Sequence, residues 1–232
     1  MIMGLSRREF IKSGAALGAL LSLPATGSIA ATTGNDIATS PYKRNQVALT
    51  FHGAGSSKIA NDLLNIVKKY NTPITVFAVG AWLKADTSIA KKILDDGHDL
   101  GNHTMNHFQM KTLSASKVES EINGCANEIK KITGSIGNWF RPSGTEASNA
   151  TIRKYAVKAG YKNCISYDVD SHDYQDPGSK VVINNVMNNV KDGSIVSLHF
   201  DHQNTVIALP IIIEKITAMN LSLVTITNLL KA

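Results

Sequence analysis

The chain has 232 residues, of which 43% are hydrophobic and 18% charged, and its formal net charge is +6. That is enough for one sizeable α/β domain with a real core and short for two. Lysines and arginines are scattered rather than clustered, which excludes a nucleic-acid grip and leaves solubility or attraction to an anionic surface such as a cell wall.

In chain order, "SRREFIK" at Ser6–Lys12 comes first, followed by the softly apolar "SGAALGALLSLPATGSIAA". A twin arginine, Phe10 two residues on, and small residues at Ser28 and Ala30 have the layout of a twin-arginine export signal. The apolar stretch is too short and soft for a membrane span. The expected organisation is a signal peptide over 1–30, a polar linker over 31–44 and one folded domain over 45–232. After cleavage no membrane span is left, and the destination is the periplasm, the cell wall or the exterior.

Strands and helices then alternate. "QVALTF" is strand-like, with Val47, Leu49 and Phe51 on one side, and it ends on His52. "KIANDLLNIVKKY" has helical periodicity, "PITVFAVG" is a strand, and "TSIAKKILDDG" is a helix stopping near Gly97. "HDLGNHT" is a short strand. "SASKVESEINGCANEIKKITG" is a long helix from a Ser114 cap to Gly134. "NWFRPSG" reads as strand and turn, and "EASNATIRKYAVKAG" as a helix. "KNCISYDVD", "SIVSLHF" and "LSLVTI" read as strands, with helices between. The alternation predicts mostly parallel strands with crossover helices, in an open sheet or a barrel. Cys125 and Cys164 read as two buried small hydrophobes rather than a disulfide framework.

The strand exits carry chemistry. They deliver His52, then His103 and His107 in "HTMNH", Arg141 in "RPSG", Asp170 and Asp173 in "DVDSHDY", and His199 in "SLHF". Parallel strands gather such exits on one rim, so together they predict a site. Histidines at i and i+4 on one face of a helical turn stand about 6 Å apart, a spacing that lets two imidazoles bind one divalent ion.

In this order, "TFHGAG", "HTMNH", "RPSG", "DSHDY" and "SLHF" resemble the polysaccharide deacetylase family, carbohydrate esterase family 4. Its motifs are Thr-Phe-Asp-Asp-Gly, His-(Ser/Thr)-x-x-His, Arg-x-Pro, Asp-x-x-Asp-Trp and Leu-x-His. The resemblance covers nearly the whole chain after the signal, from Val47 to "LSLVTITNLL". It implies a distorted (β/α) barrel with fewer than eight parallel strands. It also implies a divalent metal, zinc first, and removal of N- or O-acetyl groups from a carbohydrate or cell-wall glycan. A monomer is expected.

By that resemblance His103 and His107 hold the metal, and Gly144 offers a backbone N–H to the oxyanion. His199 protonates the leaving group with Asp173 holding its ring, while Tyr174 and Leu198 line a small acetyl pocket. The departures lie at His52 and Gly53, which stand where the family has its basic and metal-binding aspartates. "RPSG" lacks a later Pro and Tyr, Tyr174 replaces Trp, and Leu198 is adjacent to His199. Arg141 therefore loses its usual carboxylate partner, for which Asp170 is the substitute. A cation beside His52 lowers the imidazole's pKa and favours the neutral ring. His52 is then either the base or a third metal ligand. The alternatives are a carbohydrate-binding pseudoenzyme of the same fold, or a hydrolase of another amide or ester.

Overall fold

The computed structural model describes residues 34–232. The predicted signal, and residues 31–33 of the predicted linker, lie outside the described residues. The elements run β1 (Asp36–Ile37), β2 (Gln46–Gly53), α1 (Ser57–Lys69), β3 (Thr75–Ala78), α2 (Gly80–Ala85), α3 (Thr87–Asp95) and β4 (Asp99–Asn102). They continue α4 (Ala115–Thr133), α5 (Ala150–Ala159), β5 (Cys164–Ile165), β6 (Val169–Asp170), α6 (Ser179–Met187), β7 (Ile195–His199), α7 (Gln203–Ala218), β8 (Ser222–Leu223) and α8 (Ile226–Leu229). Side chains cap the helices that follow polar turns. Ser56, Asp86, Ser114 and Asn149 each accept a backbone N–H from the first turn they precede. Gly134, at φ 84°, ends α4 in the left-handed region. No described helix is long and apolar enough to cross a membrane.

Every ladder is parallel, in the order β4-β3-β2-β7-β6, with β8 beside β2 and β1 beside β5. Phe140 bridges Asn102 of β4 to Cys164 of β5 and carries the wall one step further. No ladder joins β5 to β6 among the described residues. The result is a distorted (β/α) barrel with fewer than eight strands in its ring, left open at that seam.

Alternation along β2 builds two cores. Val47, Leu49 and Phe51 face outward and pack with Leu63, Leu64 and Val67 of α1 and Leu209 and Ile212 of α7. Fully burying one such side chain as Phe51 contributes roughly 1.5–3 kcal/mol. Ala48 faces inward with Phe77, Ile165 and Ile195, and Ile226 and Leu229 of α8 plug the end from which the strands start. His52 continues the inward face at the opposite, C-terminal end.

Three predicted strands are broken or cut back by contacts that can be named. "NWFRPSG" is reduced to the bridge at Phe140, between Gly137 at φ 76° and Pro142, which has no N–H for a ladder. "KNCISYDVD" breaks into β5 and β6 because the Ile165 and Ser166 carbonyls are taken by the Arg141 guanidinium. In "LSLVTI" the Thr225 hydroxyl caps α8 and ends the strand after Leu223. Cys125 and Cys164 are free and buried in separate clusters. Burial pushes both thiols up to about 12.

Candidate active site

Parallel pairing in register sets His52 of β2 beside His199 of β7. Their rings stack with centroids 4.3 Å apart and planes at 28°. Opposite them comes the "HTMNH" loop, which is not the expected helical turn. Thr104 (φ 70°) and His107 (φ 59°) are left-handed, and the loop is held by outside partners. The Gly80 and Ala81 N–H groups at the start of α2 donate to the Thr104 and Met105 carbonyls, each at 2.9 Å. Glu121 of α4 takes both the backbone N–H and the Nδ2 of Asn106, each at 2.8 Å. The Ser143 hydroxyl meets Thr104 Oγ1 at 2.8 Å and donates to the Phe108 carbonyl at 2.7 Å. The two histidines still face each other, with ring centroids 4.9 Å apart.

One ring nitrogen each from His52, His103 and His107 lies within 4.8 Å of the others. His52 Nδ1 is 2.9 Å from His103 Nε2. Nitrogens bound to one zinc at 2.0–2.1 Å stand roughly 3.0–3.4 Å apart, so the His52–His103 pair is near that spacing and the three rings, within 4.8 Å, fit an ion after closing in. His103 Nδ1 donates to the Arg141 carbonyl at 2.9 Å, which leaves its Nε2 lone pair facing the cluster. Burial holds His52 and His103 well below the usual imidazole pKa, and their neighbouring imidazoles add to it. Burial, then His199, lowers His107 in the same direction. All three are neutral at pH 7, the form that ligates, and imidazole donors suit zinc.

Arg141 is fully buried. Its Nε and Nη2 donate to the Ile165 and Ser166 carbonyls at 3.1 and 3.0 Å, and its face lies 4.3 Å from the Phe77 ring centroid. Burial pulls it down to about 9, so it stays a cation at neutral pH. The expected partner Asp170 makes no ion pair with it. Asp170 Oδ1 instead accepts the His172 N–H at 2.9 Å, and its charge acts on Arg141 only from a distance, raising the guanidinium pKa slightly against the burial. The third contact of Arg141 is His52 itself, with Nη1 3.3 Å from Nε2.

Asp173 is fully buried. Its Oδ1 takes His199 Nδ1–H at 2.7 Å, and Oδ2 takes the His199 backbone N–H at 2.8 Å and the Thr205 hydroxyl at 2.6 Å. Burial opposes ionisation, but the hydrogen bonds outweigh it and hold the carboxyl below its usual range. His199 Nε2 has no bonding partner among the described residues, and the side chain is 17% exposed. Tyr174, exposed, flanks it at 5.4 Å between ring centroids. Gly144 (φ 63°) is exposed at a turn, and its N–H is unused by the described chain.

Leu198 does not line the site. It points outward into the helical layer with Phe51 and Phe200, since strand neighbours alternate faces. The inward position two residues before His199 is Ser197, whose hydroxyl lies 3.1 Å from His52 Nε2. Sequence reasoning missed Ser197, though period-two counting from His199 points to it. It also missed Ser143, Glu121 and Thr205, whose signals depend on long-range contacts.

Gly53 shows why no carboxylate stands there. A Cβ at this position would lie 2.8 Å from Val76 Cγ1, 2.9 Å from Trp82 Cζ3 and 3.2 Å from the Ala78 Cα, so the space it needs is already filled. Gly53→Asp is expected to cost about 1–3 kcal/mol by overpacking, without tightening a metal. Thermal unfolding and zinc titration check this; an unchanged melting temperature with tighter zinc would show that the carboxylate reaches the cluster.

The polysaccharide deacetylase family model matches residues 39–164. The chain is 30% identical over 201 residues to a peptidoglycan-N-acetylglucosamine deacetylase of Bacillus cereus, covering 82% of this chain and 91% of that protein. It superposes on a carbohydrate esterase family 4 pseudoenzyme from Bacillus anthracis with a TM-score of 0.78 at 28% identity, over 84% of this chain and 68% of that one. A mutant of that pseudoenzyme with restored enzymatic activity superposes equally well, at a TM-score of 0.78. The peptidoglycan deacetylase PdaC from Bacillus subtilis gives a TM-score of 0.72 at 27% identity, over 82% of this chain and 91% of that one. With a family match over more than half its length, the chain belongs to the polysaccharide deacetylase family and is a polysaccharide deacetylase-like hydrolase.

Proposed function

We infer that this protein is an exported, divalent-metal-dependent deacetylase acting on an acetylated cell-wall glycan, with peptidoglycan the first substrate to test. The convergence of His52, His103 and His107 within 4.8 Å, beside the His199–Asp173 pair at 2.7 Å, carries the reading. Relatives named for peptidoglycan deacetylation support the substrate class.

His52, His103 and His107 would hold the ion. When bound, such an ion supplies Lewis-acid polarisation of the acetyl carbonyl and a lowered pKa for water. The remaining chemistry belongs to the chain. His199 takes a proton from the attacking water on Nε2, and Asp173 stabilises the resulting imidazolium through Nδ1–H. The same Nε2 returns the proton to the sugar nitrogen or oxygen as the bond to the acetyl carbon breaks. The Gly144 N–H donates to the developing oxyanion, and Tyr174 walls the pocket beside His199. Acetate release from peptidoglycan and acetylated chitooligosaccharides, with Zn, Co or Mn and with chelator, tests the reading. Release that ignores chelator would end metal dependence.

A second reading is favoured by the missing carboxylate at Gly53: a pseudoenzyme that binds glycan and releases no acetate. Glycan binding without acetate release under every metal would select it.

Export rests on "SRREF". Replacing Arg7 and Arg8 together by lysine should strand the protein in the cytoplasm on cell fractionation. Unchanged export would rule out the twin-arginine route.

A further inference from the structure

His52 has one proton to place on two nitrogens, and its neighbours decide where. Arg141 has donors only, so its Nη1–H, 3.3 Å away, points at a lone pair on His52 Nε2. The Arg141 carbonyl only accepts, so His103 carries its proton on Nδ1 and its lone pair on Nε2. That lone pair sits 2.9 Å from His52 Nδ1 and is met by an N–H there. The circuit closes on one residue: guanidinium to His52, His52 to His103, His103 to the Arg141 carbonyl. In this arrangement His52 Nδ1 is protonated and cannot ligate.

Ligation through Nδ1 needs the proton on Nε2, where it faces a guanidinium unable to accept it. One acceptor is within reach. Ser197 Oγ lies 3.1 Å from His52 Nε2. Ser197 is only 1% exposed, and among the described residues its hydroxyl has no other hydrogen-bond partner. The register places Ser197 beside Thr50, on the same inward face as His52 and His199.

We propose that Ser197 is the positioning residue that makes His52 a metal ligand, accepting Nε2–H so that the Nδ1 lone pair turns to His103 and His107. Arg141 favours the opposite tautomer, so metal loading includes a proton relocation within one ring. The proton leaves Nδ1 for solvent and one returns to Nε2, with no change in net protonation. The inference rests on the three-histidine reading above.

Ring-¹⁵N NMR reports the tautomer directly. Metal-free protein should show His52 protonated on Nδ1, and zinc-loaded protein should show it protonated on Nε2. Ser197→Ala should weaken zinc binding by roughly 10–100-fold, the usual effect of losing a partner behind a ligand. Ser197→Thr, which keeps the hydroxyl, should restore affinity. In a His52→Ala background Ser197→Ala should cost nothing more, an outcome a merely structural role would not give. Full zinc affinity in Ser197→Ala, with His52→Ala weakened, overturns the role of Ser197 alone. A zinc-loaded protein whose His52 keeps its Nδ1 proton, or whose affinity ignores His52→Ala, removes His52 as ligand and the proposal with it. No zinc binding by the parent protein defeats the three-histidine reading itself.

Discussion

Replacing His199 by alanine should lower turnover on an acetylated glycan by roughly 10²–10⁴, the range for losing a positioned acid–base group. The expectation comes from where its two nitrogens point. Nδ1 is committed to Asp173 at 2.7 Å, and Nε2 is left without a partner on a side chain 17% exposed. His199 is not among the three imidazoles that converge. Bound zinc, measured by emission spectrometry, should therefore hardly change in His199→Ala. A variant with parental turnover would take His199 out of the mechanism. A variant that lost its zinc would instead assign the ring to the metal.

Asp173→Asn is expected to be as severe, at about 10⁴, by analogy with the carboxylate that orients the histidine of a Ser-His-Asp triad. Asp173 receives three hydrogens: from His199 Nδ1, from the His199 backbone N–H and from the Thr205 hydroxyl. An amide has one accepting oxygen and turns two donors of its own toward this crowd. With NH₂ facing the ring, His199 must hold its proton on Nε2, where it can no longer accept one from water. With the oxygen facing the ring, the backbone N–H and Thr205 lose their acceptor. The change should fall on kcat with little on KM, since Asp173 is fully buried behind His199. Parental kcat in Asp173→Asn would mean that the carboxylate holds the turn and takes no part in proton transfer.

Much of the site could be read from strand ends. Each ionisable residue after a hydrophobic strand arrives on the same rim, because parallel strands all exit in one direction. His52, His103, His107, His199, Asp173 and Arg141 meet there for that reason. Local geometry was less legible. "HTMNH" looks helical by spacing, but Glu121, Ser143 and the start of α2 pull it into a left-handed loop. Those partners are 15 or more residues away, beyond any local pattern. Asp170 looked like a counter-ion because charge pairing is the simplest expectation for a buried arginine. Two backbone carbonyls and an aromatic face make the direct contacts, and Asp170 reaches the guanidinium only through its field. The exchange of Leu198 for Ser197 is different in kind. Alternation along β7 contained the answer, and matching by residue type hid it.

The two cysteines have a consequence for any oxidising compartment the chain enters. Cys125 is fully buried and Cys164 only 1% exposed, in separate clusters, with thiols pushed up to about 12. At neutral pH that leaves on the order of one thiol in 10⁵ as the reactive thiolate. Disulfide exchange and peroxide attack both begin at thiolate, so both stall here. The fold needs no disulfide to mature, and neither cysteine offers its thiol to an oxidant.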